Sequence, residues 1–292
     1  MAIEDVLMLD KDFVEWTDTV MQRRYDNGGR RHRAKYLTRY FSEGSIYTLD
    51  NLRDILVESR MRFSSRTEFN DPFDSHCEYS PPANAIEAHE YFRLLALRQG
   101  ETQERARELA DNQIARGDWL PQLNSAQRRV VDRTGIICFA EKPDSMLMWS
   151  HYGDNHRGVA VVFRDIREVD AFLYSSPVCY GREFPRFKFA AASNLESVLR
   201  ALLYKSEEWH YEYEWRTVKI EGAGTYQMLR NDVVCGVIFG CKARPDFIGD
   251  VCDLIRERDL AELPPVRIDK MQLSENLFEL EPVEMALPTQ AS

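Results

Sequence analysis

Three short apolar runs, Gly135-Ile-Ile-Cys-Phe, Gly158-Val-Ala-Val-Val-Phe and Val233–Gly240, constrain what this chain can fold into. Each is only a few residues long and rich in β-branched side chains, which predicts buried strands. The stretches between them differ in length and character, and no internal repeat is visible. Short strands alternating with helices and long insertions predict one α+β domain rather than a regular βαβ series. No apolar run approaches the roughly 20 residues that cross a bilayer, so no membrane partner is expected.

Other elements follow from local pattern. Residues 35–41 read as a strand rich in aromatic and β-branched side chains. Thr48 can cap a helix carrying Leu49, Leu52, Ile55 and Leu56 at helical spacing. Met61-Arg-Phe-Ser-Ser reads as a second strand, and Asn70-Asp-Pro-Phe-Asp as a turn with Pro72 fixing φ. Between about 83 and 130 the composition shifts to Ala, Glu, Arg and Leu, which predicts a helical insertion of two or three helices punctuated by Gly100, Gly117 and Pro121. Further strands are expected near Val178–Tyr180, over Tyr211–Ile220 and at the edge over Lys270–Leu280, with helices over Leu195–Tyr204 and Pro245–Arg256. The domain plan is a helical leader at 1–34, an α+β domain at 35–285 and a polar tail at 286–292.

Charge narrows the partners. The chain has a net charge of −10 and a pI near 5.2, unsuited to sequence-independent binding along a phosphate backbone. The basic cluster of Arg23, Arg24, Arg30, Arg31, His32 and Arg33 reads as a solvated segment. Six cysteines occur without a CxxC pair, and no HExxH is present, so no metal site is expected. The start, Met1-Ala-Ile-Glu-Asp, lacks the basic-then-apolar order of a secretory signal. The expectation is a cytoplasmic protein with reduced thiols. Walker-type and GxGxxG loops are also lacking, which disfavours an ordinary NTPase or Rossmann enzyme.

Three clusters can carry chemistry. In Tyr211-Glu-Tyr-Glu-Trp-Arg, strand alternation puts Glu212, Glu214 and Arg216 on one face and Tyr211, Tyr213 and Trp215 on the other. Two carboxylates about 7 Å apart can divide labour, one activating and one stabilising positive charge. The plainer reading is an exposed strand face with Arg216 paired to a neighbour. Trp149-Ser-His-Tyr-Gly-Asp-Asn-His-Arg-Gly packs His151, Tyr152 and His156 into a loop before a buried strand, where a site is expected. It can equally be a polar connection. Ser64 and Ser65, with Asn70 and Asp71, can hold a ribose or phosphate, or simply cap a turn.

Taken in order, Arg62-Phe-Ser-Ser-Arg-Thr-Glu-Phe-Asn-Asp-Pro-Phe-Asp, Ile137-Cys-Phe-Ala-Glu, Leu147-Met-Trp-Ser-His-Tyr-Gly-Asp-Asn-His-Arg-Gly-Val and Lys205 with Trp209-His-Tyr-Glu-Tyr-Glu-Trp-Arg resemble the bacterial domain-of-unknown-function family numbered 2971. The resemblance spans about residues 36–245. A weaker one carries more chemistry. A strand, the Asn51-Leu-Arg-Asp-Ile-Leu helix and a strand, followed by Ile137-Cys-Phe, Gly158–Phe163 and Glu212-Tyr-Glu214, is similar to ADP-ribosyltransferases. That resemblance implies a mixed, largely antiparallel sheet and NAD as substrate, with no metal. Glu214 would be the catalytic carboxylate and Glu212 its helper, with Arg39 or Tyr40 on the first strand and Ser64 or Ser65 on the second. Trp149, His151 and Tyr152 would line the cleft. His156, Lys205, Trp209 and Arg216 complete the ligand-binding set. The sequence departs from the Arg…Ser-Thr-Ser…Glu and His…Tyr…Glu series of that fold.

Two classes of function follow. One is an enzyme that cleaves the nicotinamide–ribose bond of NAD, transferring ADP-ribose or hydrolysing NAD, as a toxin or phage-defence effector would. The other is a non-catalytic binding or sensor module of a bacterial defence system. A metal-free nuclease is disfavoured by the acidic balance. Buried pairing of Glu212 and Glu214 with Arg or Lys would favour the module. An open cleft reached by Glu214, with Trp149 beside it, would favour the enzyme. Residues 83–130 can serve equally as a lid, a face for a second copy or a docking surface for a protein partner.

Overall fold

The computed structural model describes residues 36–76, 78–164, 175–187 and 194–288. The leader predicted at 1–34 lies outside the described residues.

In chain order the elements are β1 (Tyr36–Phe41), α1 (Thr48–Leu56), β2 (Arg60–Arg62) and β3 (Glu78–Tyr79). The helical insertion follows as α2 (Ala85–Arg98), α3 (Gln103–Arg116) and α4 (Trp119–Arg133). Then come β4 (Gly135–Ala140), α5 (Met146–His151), β5 (Val159–Arg164), β6 (Ser175–Pro177), β7 (Cys179–Gly181) and β8 (Arg186–Phe187). The last part holds α6 (Asn194–Leu202), β9 (Tyr204–Ser206), a 3₁₀ turn (Glu207–Glu212), β10 (Glu214–Lys219), β11 (Tyr226–Met228), β12 (Val234–Phe239), α7 (Pro245–Leu260), β13 (Arg267–Leu273) and β14 (Leu280–Glu284).

The three apolar runs are interior strands of one eight-stranded sheet, ordered β14-β13-β12-β5-β1-β4-β10-β6. All its pairings are antiparallel except β12 with β13, which is parallel and spanned by α7. A parallel neighbour requires a long crossover, and α7 supplies it. This is the α+β architecture with a mixed, largely antiparallel sheet that the sequence predicts. One face is covered by α1, through Leu52, Ile55 and Leu56, and by α7, through Phe247, Val251, Leu254 and Ile255. At the end of α7 the fully buried Arg258 donates to the carbonyls of Leu56, Asn231 and Pro264, each at 2.8 Å.

Several local expectations shift. The strand expected over Tyr211–Ile220 begins at Glu214, because Tyr213 is left-handed (φ 44°) and Glu207–Glu212 turns as a 3₁₀ helix. Tyr211, Tyr213 and Trp215 therefore do not share a strand face. The edge strand expected over Lys270–Leu280 is instead a hairpin of β13 and β14. Pro121 does not interrupt the insertion. It is the third residue of α4, in the first turn, where no intrahelical donor is lost. Gly100 and Gly117 do end helices, at φ +92° and +74°. Met285 and Leu287 pack against the main core, so the polar tail does not begin at 286.

One joint in the sheet matters most. β1 pairs with β5 along its whole length but meets β4 through the Thr38–Ala140 pair. Beyond that pair the sheet opens between β1 and β4, and Ser64 bridges to Ile136 on the β4 side.

Candidate functional site

The opening between β1 and β4 is a cavity of about 430 Å³. Thr38, Arg39 and Tyr40 of β1 form one wall, and Ile136, Cys138, Phe139 and Ala140 of β4 form another. Lys205, Glu212, Glu214 and Arg216 are its buried floor. Glu68, Asn70 and His151 are solvent-exposed at its rim.

The floor is built by register. In β10, Glu214 lies opposite Ala140 and Arg216 opposite Cys138, so the two charged side chains project from one face, while Trp215 enters the core on the other. The left-handed Tyr213 sets the direction of the preceding turn, and Glu212 joins the same group from outside the strand. Tyr180 accepts the Glu214 backbone N–H at 2.9 Å.

Lys205 Nζ donates to Glu212 Oε2 at 2.5 Å and to Glu214 Oε2 at 3.2 Å. Arg216 grips Glu214 with Nε to Oε1 at 2.7 Å and Nη2 to Oε2 at 3.0 Å. The same guanidinium holds Asp74 through Nη1 to Oδ1 at 2.7 Å and Nη2 to Oδ2 at 2.6 Å. Tyr152 OH donates to Glu212 Oε1 at 2.6 Å. The ring of Trp209 lies 4.9 Å from Lys205 Nζ. Three carboxylates against two cations leave the floor one negative charge in excess when all are ionised.

The two glutamates are pushed apart electrostatically. Burial alone would raise Glu214, but Arg216 and Lys205 hold it down to about 2. Glu212 moves the other way, raised by burial and by the charge of Glu214, with Lys205 opposing. Burial would lower Lys205, yet Glu214 and Glu212 drive it up, so it stays an ammonium. Burial lifts Tyr152 and Cys138 far out of the physiological range, which makes both poor nucleophiles. One carboxylate held down beside one pushed up is the direction of a divided acid–base pair.

Arg39 differs from every other cation at the cavity. Its guanidinium lies 5.6 Å from the centre of the Phe41 ring. Burial lowers its pKa, and among the described residues no carboxylate stands with the groups acting on it. Strand alternation puts its side chain with Phe41 on the face opposite Glu214 and Arg216, and it also lines a small cleft with Asp54 and Arg62.

Of the residues expected at the site, Glu214, Glu212, Arg39, Tyr40, Ser64, Asn70, His151, Tyr152, Lys205 and Arg216 line this one cavity. Trp209 reaches it through Lys205. Four do not. Trp149 is wholly buried, with its indole N–H on the Pro143 carbonyl (2.8 Å) and its ring edge-on to Tyr40. Its size and apolarity place it in the core. Ser65 caps the Arg66–Glu68 turn and donates to the Asp132 carbonyl at 2.7 Å. Asp71 accepts the Phe73 N–H at 2.8 Å within its own turn. His156 contacts Ser150 Oγ at 3.1 Å and stands in a left-handed run with Asp154 and Asn155 (φ 49°, 53° and 69° in chain order). That run is locked by Gly240, where a Cβ would come within 2.1 Å of the His156 carbonyl, and by Lys242 N–H on the same oxygen at 2.9 Å.

The residue that sequence reasoning missed is Asp74. It closes the Asn70-Asp-Pro-Phe-Asp motif, but its partner lies 142 residues away, and nothing local signals that pairing. Among the described residues no cluster of His, Cys, Asp or Glu could hold a metal ion, and no helix is long and apolar enough to cross a membrane.

Residues 148–217 match the family model described as Protein of unknown function (DUF2971), so the resemblance to that family stands. The match runs from α5 through most of β10 and includes Tyr152, Lys205, Glu212, Glu214 and Arg216. No curated protein and no solved structure matches the chain. The likeness to ADP-ribosyltransferases therefore rests on residues alone.

Proposed function

We propose that this DUF2971-like chain binds NAD or a related nucleotide in the β1–β4 cavity and cleaves the bond between ribose and nicotinamide. The observation that carries the reading is a pairing of opposites in one cavity. Its buried floor sets the carboxylates of Asp74, Glu212 and Glu214 against Lys205 and Arg216, and Arg39 lies along the opening at its wall. A molecule with a cationic sugar–base junction and anionic phosphates complements both.

The chemistry balances without a metal. The C1′–N bond breaks and its electron pair leaves with the ring, which departs as neutral nicotinamide. Positive charge passes to the ribose C1′–O4′ unit, an oxocarbenium-like centre as in glycoside hydrolysis. Glu214, held ionised by Arg216 and Lys205, supplies fixed negative charge beside it. Water or an acceptor hydroxyl then adds to C1′, and its proton passes to Glu212, the carboxylate poised to take it. Arg39, with the hydroxyl of Ser64 on the same cavity, would hold the phosphates.

The test is nicotinamide release from NAD by the purified protein, beside Glu214→Gln and Arg39→Ala, with and without cell lysate. Release lost in Glu214→Gln and a weakened NAD affinity in Arg39→Ala support the reading. Dependence on lysate separates transfer from hydrolysis. A folded protein that neither binds NAD nor releases nicotinamide would sink it.

One observation favours the non-catalytic module instead. Both oxygens of Glu212 and of Glu214 already accept hydrogen bonds from Tyr152, Lys205 or Arg216. NAD binding without release, unchanged by Glu214→Gln, would select that reading.

A further inference from the structure

Trp149 packs in the core and the ring of Trp209 lies against Lys205, so an outer base needs another ring to stack on. Single exposed aromatics are ordinary. Two of them in contact, on separate segments beside a cavity, are not. Phe73 is 62% exposed and Phe184 47% exposed, with ring centres 6.0 Å apart. The His76 ring lies 4.3 Å from Phe184.

The position of Phe73 ties this cluster to the cavity. It stands between Asn70 and Asp74, both of which line it. Its turn is fixed at several points: Asp71 Oδ1 accepts the Phe73 N–H, the Asp71 carbonyl accepts the Asp74 N–H (3.2 Å), and the Phe73 carbonyl accepts the His76 N–H (3.2 Å). Asp74 anchors the turn to Arg216 through two hydrogen bonds. The backbone that carries the exposed ring is thus held in place before any ligand arrives, which lowers the ordering cost of binding. Burial lowers the pKa of the His76 imidazole, with Glu78 opposing, and its ring gives the two apolar rings a polar edge.

Size gives a second argument. A cavity of about 430 Å³ lies toward the small end of the roughly 300–1,000 Å³ typical of ligand clefts. It suits a ribose, its base and the adjoining phosphates better than a whole extended dinucleotide. The second base of a dinucleotide must then lie outside, against whatever surface adjoins the mouth.

We propose that Phe73 and Phe184, with His76 at their edge, form a stacking platform for the second, outer base of a dinucleotide whose other half enters the cavity; this rests on reading the cavity as a nucleotide site. The ligand class narrows accordingly, from nucleotides in general to dinucleotides.

The test compares NAD with its two halves, AMP and nicotinamide mononucleotide, by calorimetry on the full chain. Wild type, Phe73→Ala, Phe184→Ala and Phe73→Tyr are measured, each checked by circular dichroism. Stacking of one base is worth about ten-fold in affinity. Phe73→Ala and Phe184→Ala should therefore weaken NAD and AMP about ten-fold and leave nicotinamide mononucleotide within two-fold of wild type, and Phe73→Tyr should restore both. Equal affinities of all variants for NAD and AMP would overturn the platform, as would no AMP or NAD binding by wild type or equal weakening of all three ligands. Nicotinamide release is scored separately. AMP bound through Phe73 without bond cleavage keeps the platform and removes the enzyme, whereas cleavage with unaltered NAD affinity in Phe73→Ala does the reverse.

Discussion

Among the described residues two arginines are buried almost completely, and they are held in different ways. Arg216 is held by carboxylates, two hydrogen bonds to Asp74 and two to Glu214, with Lys205 alongside. Arg258 is held by three backbone carbonyls and has no carboxylate partner among its hydrogen bonds. The first arrangement is a titratable charge network beside a cavity. The second is a fastener that joins the end of α7 to three separate segments. Burial of a cation therefore does not by itself mark a functional site here. What distinguishes the floor of the cavity is that its cations hold acids whose protonation can change.

The sharpest way to break the comparison is Arg216→Met. It strands Asp74 and Glu214 in a buried setting, and breaking one side of such a pair costs about 3–5 kcal/mol. Urea unfolding at pH 7 should show that loss, and adding Asp74→Asn should recover part of it. Recovery of nothing would mean that packing, not charge, dominates. Arg258→Met should cost about 3 kcal/mol, from three carbonyls each worth about 1 kcal/mol when left unpaired. None of these hydrogen bonds involves an acid, and Asp259 acts on Arg258 only as a nearby charge, so the penalty should change little between pH 7 and pH 4. A penalty that shrinks with acid would erase the distinction.

The pH dependence separates the two glutamates as well. Glu214 is depressed from 4.5 to about 2, so its contribution is fully present above pH 4.5 and is lost as pH falls toward 2. Glu212 is raised, so its contribution is present below its ordinary value and declines as pH rises through the shifted one. Glu214→Gln should flatten the acid side of the stability curve, and Glu212→Gln should not. An unchanged acid limb in Glu214→Gln would contradict the assignment. The smallest effect is expected from Glu257→Gln, which removes the exposed partner of Arg53. Surface pairs contribute little, so its thermal midpoint should stay within about a degree of wild type.

Much of this was legible from one-dimensional pattern. The three apolar runs gave β4, β5 and β12, because buried strands declare themselves by composition. Gly100 and Gly117 mark helix ends because only glycine takes φ of +92° and +74° cheaply. Most of the site residues also converge, since Arg39, Tyr152 and Glu214 all line one cavity. What failed was non-local. Trp149 sits in a motif crowded with polar residues, yet tertiary packing takes it into the core. Alternation from Tyr211 onward assumed a strand that the left-handed Tyr213 interrupts. Asp74 could not be foreseen, because its role comes from a partner across the fold.

The left-handed run at Asp154–His156 sets a schedule for synthesis. Non-glycine residues in that conformation are held at a cost of order 1 kcal/mol each. Local hydrogen bonds from Asn155 and His156 to the Ser150 and Trp149 carbonyls shape the run, and its closing contacts come from Gly240 and Lys242, just past β12. A nascent chain on the ribosome lacks them until those residues emerge. The end of the run at His156 therefore takes its final shape only after β1, β4 and β10 have left the exit tunnel.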